Sequence, residues 1–480
     1  MTKDELTVLL SGAPAATVKA LAVKPIYEPA RTDGKDAPVL ADLRNQYDVA
    51  GHDVLDNTKR RDKTVITKKA EGENPAETRL EYVNRIGIPL QEIITERAVS
   101  FLFGTPVTIT ASPEGDNQQI VFDTLRRILK DNKIDPFNQT VALDLFRCKE
   151  VAEIWYAVQK PEAHNDYGFP TTSKLRVLRV SPWDGSELYP MFDEYGDMIA
   201  FSRSYQMPGL EENKPDEFFE TYTEVETIIW KKVDSDWVEQ LPRKPNAIKK
   251  IPVVYARQEK TEWDSVQTLI NRLEKLLSNY ADTTDYHASP TIFVSGTVLG
   301  MPDKGESGKV IVGADGASAE YLSWNQAPEM VKLEIETLIK LIYSLSQTPD
   351  ISFEAIKGIG AVSGVALKLM FTDAHLKVKK KQRIFDAYLD RRASIILSFI
   401  GVMNTKLTAD TKAIDVQSDI VPFMIGDTDA LIQMLTTATG GKAIISQKTA
   451  VAKTGLVEDA DAEYAQIESE SVADATEPTL

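Results

Sequence analysis

Side chains that could perform proton or group transfer are few in this sequence, and they are widely spaced. The four histidines, His52, His164, His287 and His375, are scattered along 480 residues. No two of them stand at the i, i+4 spacing that places a pair of metal ligands on one helix face. The single cysteine, Cys148, excludes disulfides within the chain and fits a reducing setting. The sequence therefore predicts no metal centre, no cofactor and no enzyme activity.

Two glycine-rich segments match nucleotide-binding loops only in part. Gly305 to Lys309 has too few residues between its glycines for a phosphate loop, and Val310 stands where that loop needs a hydroxyl. Gly358 and Gly360 lack the third glycine and the preceding strand of a dinucleotide-binding fingerprint. We predict a hairpin turn for the first segment and a flexible loop for the second.

The overall charge limits the kind of partner. The net charge is −17, whereas tight binding to nucleic acid over a broad surface needs clustered Lys and Arg. A basic run does occur at Lys377, Lys379, Lys380, Lys381 and Arg383. A solvated helix face is the favoured interpretation of this run, and contact with an acidic neighbouring subunit or nucleic acid is the alternative. No apolar run approaches the about 20 residues that span a bilayer, so we expect a soluble, cytoplasmically made protein without a membrane segment.

The first half of the chain predicts an α+β domain. Residues 1–72 show little periodicity and predict an arm with at most short helices. Amphipathic helices are predicted at Pro89–Phe103, at Asn117–Lys130 and from Pro136 to about Arg147. Runs rich in β-branched and aromatic residues then predict strands. These runs are Val151–Val158, Leu175–Val180, Met198–Tyr205, Phe218–Lys232 and Ile251–Tyr255.

The second half predicts a stalk with a small β tip. A capping-box-like Thr261-x-x-Asp264 opens a long amphipathic helix, and a second helix runs from Pro328 to Gln347. Short strands are predicted between them. A loop from Thr348 to Val362 leads into a helix from Ser363 to Met403, which would span about 60 Å.

The C-terminal part predicts one strand and two short helices. The predicted strand is Ala413–Ile425, and the first helix lies around Ala430–Ala438. Ser446 caps the second helix, which Gly455 ends. From Val457 onwards eight acidic residues and no basic ones predict a solvated, negatively charged tail.

Five segments of this chain resemble the portal proteins of tailed double-stranded-DNA bacteriophages, in their siphophage-like branch. The segments occur in the family's order and cover about residues 90–470. They are ITERAVSFLFGTPV (94–107), VSPWDGSELYPMFDEYGD (180–197), IPVVYA (251–256), SGVALK (363–368) and AIISQKTAVAKTGLVEDADAEYAQIESE (443–470).

The resemblance implies an elongated α+β subunit of a ring, usually a dodecamer, at one vertex of the virion capsid. DNA would be packaged and ejected through the ring, which would assemble in the host cytoplasm. The implied regions are an N-terminal arm (1–72), a wing (73–260), stem helices (261–287 and 328–347), a clip (288–327), a tunnel loop (348–362), the wing's long helix and return strand (363–425), and a crown with an acidic tail (426–480).

Site residues and partners follow from the same resemblance. The tunnel loop would touch DNA through Phe353, Lys357, Gly358 and Gly360, and the stem would present Lys332, Glu336 and Lys340 to the channel. Lys332 and Lys340 alternate with Glu329, Glu334 and Glu336, so this face is mixed and mildly acidic and would let a polyanion slide past. The expected partners are further copies of the chain, double-stranded DNA without sequence preference, the terminase large subunit, a head-tail adaptor, and the major capsid and scaffolding proteins.

Two other classes of protein stay open. One is a different oligomeric virion adaptor or scaffold ring, although adaptors are usually far shorter. The other, less favoured, is a DNA-packaging enzyme, which would need a phosphate loop or an acidic metal cluster.

Overall fold

The computed structural model describes most of the chain between residues 40 and 474. The described residues are 40–68, 77–209, 215–234, 236–287, 292–295, 298–300, 312–313, 316, 318–321, 327–351, 371–423, 428–440, 442–457 and 460–474. The chain forms two compact units. One unit comprises residues up to Thr348 together with Lys377–Pro422, and the other comprises Pro349–Leu376 together with Phe423–Leu480.

The arm contains a β-ribbon that the sequence analysis did not predict. After helix α1 (Leu40–Tyr47), strands β1 (Lys63–Lys68) and β2 (Glu77–Glu81) pair antiparallel. Val65 and Ile66 are adjacent in the sequence, so β1 lacks the alternation that would indicate a half-buried strand. The prediction of an arm (1–72) with at most short helices was therefore wrong for residues 63–68, and β2 lies at the start of the region predicted as the wing.

Three helices follow, and they confirm the predicted amphipathic segments to within a few residues. They are α2 (Leu90–Phe103), α3 (Asp116–Asp131) and α4 (Ile134–Cys148), with strand β3 (Thr108–Ala111) after α2. Each buries its apolar face, and Ile94, Leu125 and Phe146 are fully buried. Burial of this face, more than intrinsic propensity, stabilises helices of such length.

Two antiparallel sheets complete the α+β domain, which confirms the predicted fold class. A three-stranded sheet has the order β11-β4-β5, and a five-stranded meander has the order β10-β9-β8-β7-β6. The strands are β4 (Glu150–His164), β5 (Thr171–Val180), β6 (Glu187–Phe192), β7 (Met198–Met207), β8 (Asp216–Tyr222), β9 (Glu226–Val233), β10 (Asp236–Pro245) and β11 (Val253–Arg257).

Residues from both sheets share one hydrophobic cluster. It joins Ile154 and Val253 of the smaller sheet to Leu188, Phe201 and Tyr222 of the larger one. The register pairs Val253 with Ile154 and Phe201 with Tyr222 across neighbouring strands. These cross-strand pairs are the unit of sheet stabilisation.

The predicted strand Phe218–Lys232 is in fact two strands, β8 and β9. The turn between them contains no Gly, Pro or Asn. Its Thr223 hydroxyl accepts the backbone N–H of Glu226 at 3.0 Å and donates to the carbonyl of Glu226 at 2.8 Å. A threonine turn of this kind gives a weaker sequence signal than a glycine turn.

The two helices predicted as the stem are observed as α5 (Gln267–His287) and α6 (Ala327–Leu345). Residues 262–266 form turns, so the predicted helix start at Thr261 was wrong. The tertiary contacts of this segment explain the difference, because Trp263 is fully buried and its indole N–H donates to Gln46 Oε1 at 3.0 Å. A shared core joins α5 to α6 and α2.

Four short strands are described between the stem helices. Strand β12 (Ile292–Ser295) pairs with β15 (Ser318–Tyr321), and β13 (Val298–Gly300) pairs with β14 (Val312–Gly313). The predicted turn at Gly305–Lys309 lies outside the described residues.

A long helix, α7 (Thr372–Met403), crosses the first unit. Phe371 forms a turn, and residues 363–370 of the predicted helix Ser363–Met403 lie outside the described part of the chain. After a short helix α8 (Asp410–Ala413), strand β16 (Val416–Asp419) pairs with β3. The strand predicted within Ala413–Ile425 is thus confirmed over a shorter range.

The second unit contains three described helices, α9 (Thr428–Thr439), α10 (Gln447–Thr454) and α11 (Ala460–Asp474). The predicted caps of α10 are confirmed, because Ser446 Oγ accepts the N–H of Thr449 at 3.1 Å and Gly455 adopts a φ of 66°. The acidic segment predicted as a tail is helical over α11. Across the described residues, no helix is both long and apolar enough to cross a membrane.

Candidate functional site

The exposed face of α6 carries the three stem residues predicted from the sequence. Lys332, Glu336 and Lys340 are all exposed, and at about 100° per residue they follow one line along the helix. Lys332 Nζ lies 4.0 Å from Glu336 Oε1. The opposite face packs against α5 through Val331, Ile335, Leu338 and Ile342.

The charge of this face differs slightly from the prediction. Glu334 does not belong to it, because its carboxylate pairs with Arg272 of α5 at 2.7 Å. The remaining charged residues are Glu329, Lys332, Glu336 and Lys340, two of each sign. The face is therefore balanced in charge, where the sequence analysis expected it to be mildly acidic.

The predicted DNA-contacting residues of the loop, Phe353, Lys357, Gly358 and Gly360, lie outside the described residues. The structure does describe the two chain ends that flank this segment, at Ser346–Thr348 and from Phe371 onwards. Gln347 adopts a φ of 52°, so the chain turns sharply where α6 ends.

A buried ion cluster ties these two ends to the start of the stem. Lys377 Nζ pairs with Glu262 at 2.8 Å and donates to the carbonyl oxygen of Ser346 at 3.0 Å. Lys381 pairs with the other Glu262 oxygen and donates to Gln258 Oε1. The interpretation of the basic run as a solvated face was therefore wrong for Lys377 and Lys381, which lie inside the protein.

Burial and charge act in opposite directions on Glu262. Burial by itself would raise the pKa of this carboxyl, but the ammonium groups of Lys377 and Lys381 outweigh it and hold the pKa below its usual value. Burial also lowers the pKa of Lys381. The carboxylate is thus the ionised centre of the cluster. Its two lysine partners lie more than a hundred residues away in the sequence, so local patterns carry no signal for the pairing.

A second buried ion pair fixes α7 to the smaller sheet. Arg392 donates from Nε and Nη2 to the two carboxylate oxygens of Glu153 at 2.8 and 2.7 Å, and from Nη1 to Asn138 Oδ1 at 2.6 Å. The hydroxyl of Tyr388 donates to Glu153 at 3.0 Å. A planar guanidinium suits this two-point contact with a carboxylate.

A buried histidine holds the arm to α5. His52 Nδ1 lies 2.6 Å from Glu274 Oε1, and its Nε2 lies 2.9 Å from the carbonyl oxygen of Gln46. Both ring nitrogens face acceptors, an arrangement that suits the doubly protonated ring. Burial alone would lower the pKa of His52, but the Glu274 carboxylate outweighs it and raises the pKa above its usual value.

The cysteine of the chain, Cys148, is buried. Burial raises the pKa of the Cys148 thiol to about 12, so the thiol stays protonated and unreactive at neutral pH. Among the described residues, no cluster of three or more His, Cys, Asp or Glu side chains could hold a metal ion.

Comparison with known protein families shows which family this chain belongs to. The model of a family described as phage portal protein, SPP1 Gp6-like, matches residues 33–477. This chain belongs to that phage portal protein family. The match extends from the arm to the last described helix and confirms the resemblance seen in the sequence.

Solved structures offer more distant similarities to this portal family member. The neck of a native gene transfer agent particle, computed with C12 symmetry, has 11% identity and a TM-score of 0.43, over 92% of this chain and 98% of that one. The neck of an empty particle, computed with C6 symmetry, has 10% identity and a TM-score of 0.42, over 77% and 89%. A native virion of a gene transfer agent has 11% identity and a TM-score of 0.40, over 88% and 97%. No curated protein sequence matches the chain.

Proposed function

We propose that this chain is the portal subunit of a phage virion. Copies of it close into a ring, expected to be a dodecamer, at one vertex of the capsid, and DNA passes through the ring during packaging and ejection. The observation that carries the proposal is the portal family match over residues 33–477. The match extends over almost the whole chain, which supports a role of the full subunit and not of a single domain.

The stem supplies physical support for a DNA channel. A strongly basic wall would hold DNA by releasing its counterions, and a strongly acidic wall would repel it. The face of Glu329, Lys332, Glu336 and Lys340 is balanced in charge, and it projects from a helix whose other side is packed against α5. Such a wall neither traps nor excludes a moving polyanion, and it carries no groups placed to read base sequence.

The predicted tunnel loop, residues 348–362, completes the proposed channel. We assign Phe353, Lys357, Gly358 and Gly360 to DNA contact at its narrowest part. The short strands β12–β15 between the stem helices form the proposed docking site for the terminase large subunit and later for the head-tail adaptor. The major capsid and scaffolding proteins are the proposed neighbours of the ring in the virion.

Negative-stain imaging of the purified protein, with mass determination alongside, tests the ring. Rings with a central hole and a mass that corresponds to about twelve copies support the proposal. A chain that stays monomeric at high concentration, both alone and with its candidate scaffolding protein, contradicts it. Packaging of DNA by capsids that carry the ring, compared with capsids that lack it, then tests the channel.

A further inference from the structure

The β-ribbon of β1 and β2 has one largely apolar face that none of the described residues covers. The register pairs Thr64 with Leu80 and Ile66 with Thr78, so these four side chains share a face, and Tyr82 continues the alternation. Ile66, Leu80 and Tyr82 are 61%, 52% and 81% exposed. The other face carries charged residues, among them an ion pair between Arg79 and Glu81.

Two observations indicate that this face is covered in the assembled protein. First, an isolated two-stranded ribbon is at best marginally stable in water, and it needs packing on one face. Second, three of the four exposed apolar side chains of the ribbon, Ile66, Leu80 and Tyr82, lie on one face, and only Val65 lies on the face with the charges. Exposed apolar residues scattered singly are ordinary, whereas contiguous ones indicate an interaction surface.

The ribbon is held firmly at its base. Arg60, which precedes it, pairs with Asp282 of α5 at 2.7 Å, and the backbone N–H of Asn84, which follows it, donates to the same carboxylate at 2.6 Å. The side chain of Asn84 donates to Asp285 at 2.7 Å. Both ends of the ribbon are therefore fixed to the same turns of α5.

A second uncovered apolar surface lies on α6. Met330, Leu333, Leu341 and Leu345 are spaced three, four or eight residues apart, so they form one stripe. Met330 and Leu333 are 75% and 66% exposed. The stripe lies beside the charged face of Lys332, Glu336 and Lys340, between that face and the side that packs on α5.

The two surfaces belong to elements on different sides of α5. The segment that follows the ribbon, residues 84–88, contacts the α5 face that carries Glu274, Ser278 and Asp282. Helix α6 packs against the face with Leu273 and Leu276. At about 100° per residue, the centres of these faces are roughly 170° apart around the helix. Two different complementary surfaces on opposite flanks are the requirement for a head-to-tail contact, which closes into a ring.

We propose that the apolar face of the ribbon packs on the α6 stripe of the neighbouring copy of this chain. The lengths agree, because the ribbon strands extend about 17–20 Å and the stripe from Met330 to Leu345 extends about 22 Å. Both surfaces are uncharged, and each borders a charged face of its own subunit. This contact rests on the ring proposed above, and it names the residues that join one copy to the next.

Disulfide formation in assembled rings tests the contact. Leu80→Cys is combined in turn with Met330→Cys, Leu333→Cys and Leu341→Cys in the full chain, and rings are oxidised and separated on a denaturing gel. At least one pair is expected to give a ladder of linked subunits up to the size of the ring. Arg79→Cys, on the charged face of the same ribbon, replaces Leu80→Cys in the matched control and is expected to give no ladder. Variants with only one introduced cysteine show whether that cysteine forms a disulfide with the native Cys148.

A charge at the same surface provides an independent measurement. Leu80→Glu is expected to lower the fraction of protein in rings at least tenfold at a fixed concentration, because the charge would be buried against the stripe. The thermal unfolding of its monomer should not change, since Leu80 is exposed there. Val225→Glu changes an equally exposed apolar residue at the β8–β9 turn and should leave the rings intact.

The outcomes separate this contact from the ring itself. The contact is overturned if rings form normally, no Leu80→Cys pair gives a ladder, and these cysteines react with maleimide. The ring proposal then still stands. Rings in which Arg79→Cys crosslinks as well as Leu80→Cys also overturn the contact. Protein that never forms rings contradicts both proposals.

Discussion

Lys377 donates a hydrogen bond from its ammonium group to the carbonyl oxygen of Ser346, at 3.0 Å. The two residues are 31 positions apart, so this contact closes the base of the segment that lies between them. The same ammonium group pairs with Glu262. One buried charge thus joins the end of α6, the segment before α5 and the helix α7.

Glu262→Gln is expected to destabilise the protein by about 3–5 kcal/mol, because two buried ammonium groups would lose their counter-charge. Chemical denaturation followed by circular dichroism measures the difference. Lys379→Gln, an exposed member of the same basic run, is the matched control and should change stability by less than about 0.5 kcal/mol. An unchanged denaturation midpoint for Glu262→Gln would show that the cluster contributes little.

The same cluster predicts an acid-sensitive stability. The pKa of the Glu262 carboxyl is lowered in the folded protein. The stabilisation that its charge provides is therefore fully present above the usual carboxyl pKa of about 4.5, and it is lost as the pH falls through the lower pKa of the folded state. The stability difference between the wild type and Glu262→Gln should therefore be constant near neutral pH and shrink below about pH 4.5. A difference that grows on acidification would contradict the sign of this shift.

For His52, stability is predicted to depend on pH with the opposite sign. Its pKa is raised in the folded protein, so its contribution is present below the usual value of 6.5 and is lost as the pH rises through the folded pKa. The groups that face the ring are the Glu274 carboxylate, the Gln46 carbonyl and Asp48. The melting temperature of the wild type should exceed that of His52→Gln most below about pH 6.5, and the gap should narrow as the pH rises through the raised pKa of the folded protein.

Arg392→Met is expected to cost about 3–5 kcal/mol, since it leaves the Glu153 carboxylate buried without a counter-charge. The double variant Glu153→Gln with Arg392→Met should recover part of that loss, because no uncompensated charge is left. Arg383→Met, an exposed change on the same helix, serves as the control. If the double variant were as unstable as the sum of the single changes, packing and not charge would explain the loss.

Glu336→Lys tests the charge balance of the proposed channel wall. It replaces an alternating line with three consecutive lysines at one-turn spacing, so rings should hold DNA more tightly and lose this extra affinity steeply with salt. Packaging should slow for the same reason. Glu194→Lys, in the exposed β6–β7 turn, gives the same change of net charge away from the stem. If both variants had equal effects, the change in net charge, and not its position on α6, would explain the result.

Phe353→Ala and Lys357→Ala test the proposed loop contacts. Each is expected to reduce DNA packaging or the retention of packaged DNA while the rings still form. Packaging and retention at the wild-type level in both variants would exclude these residues as the DNA contacts.

Local patterns in the sequence were sufficient to predict the helices that bury a regular apolar face. Helices α2, α3 and α6 begin and end within a few residues of their predicted bounds, because the apolar period of each is unbroken. The start of α5 was misplaced because Trp263 is held by Gln46, far away in the sequence. A contact of that range overrides a local capping signal.

The buried ion pairs could not be predicted from the sequence, for a related physical reason. Each of them pairs residues from distant elements: Glu262 with Lys377, Glu153 with Arg392 and His52 with Glu274. Charged residues are mostly exposed in proteins, so the sequence alone favours a solvated position for each. Their burial becomes evident only when the fold brings each partner into place.

The contact of Arg392 with Glu153 and Asn138 also fixes the position of α7 along its own axis. A slip of one helical turn, about 5.4 Å, would separate Arg392 from both partners and leave two opposite charges bare in the core. Sliding past the sheet is thereby excluded as a low-energy motion of this helix. A displacement of α7 along its axis is therefore coupled to the three-stranded sheet through this contact.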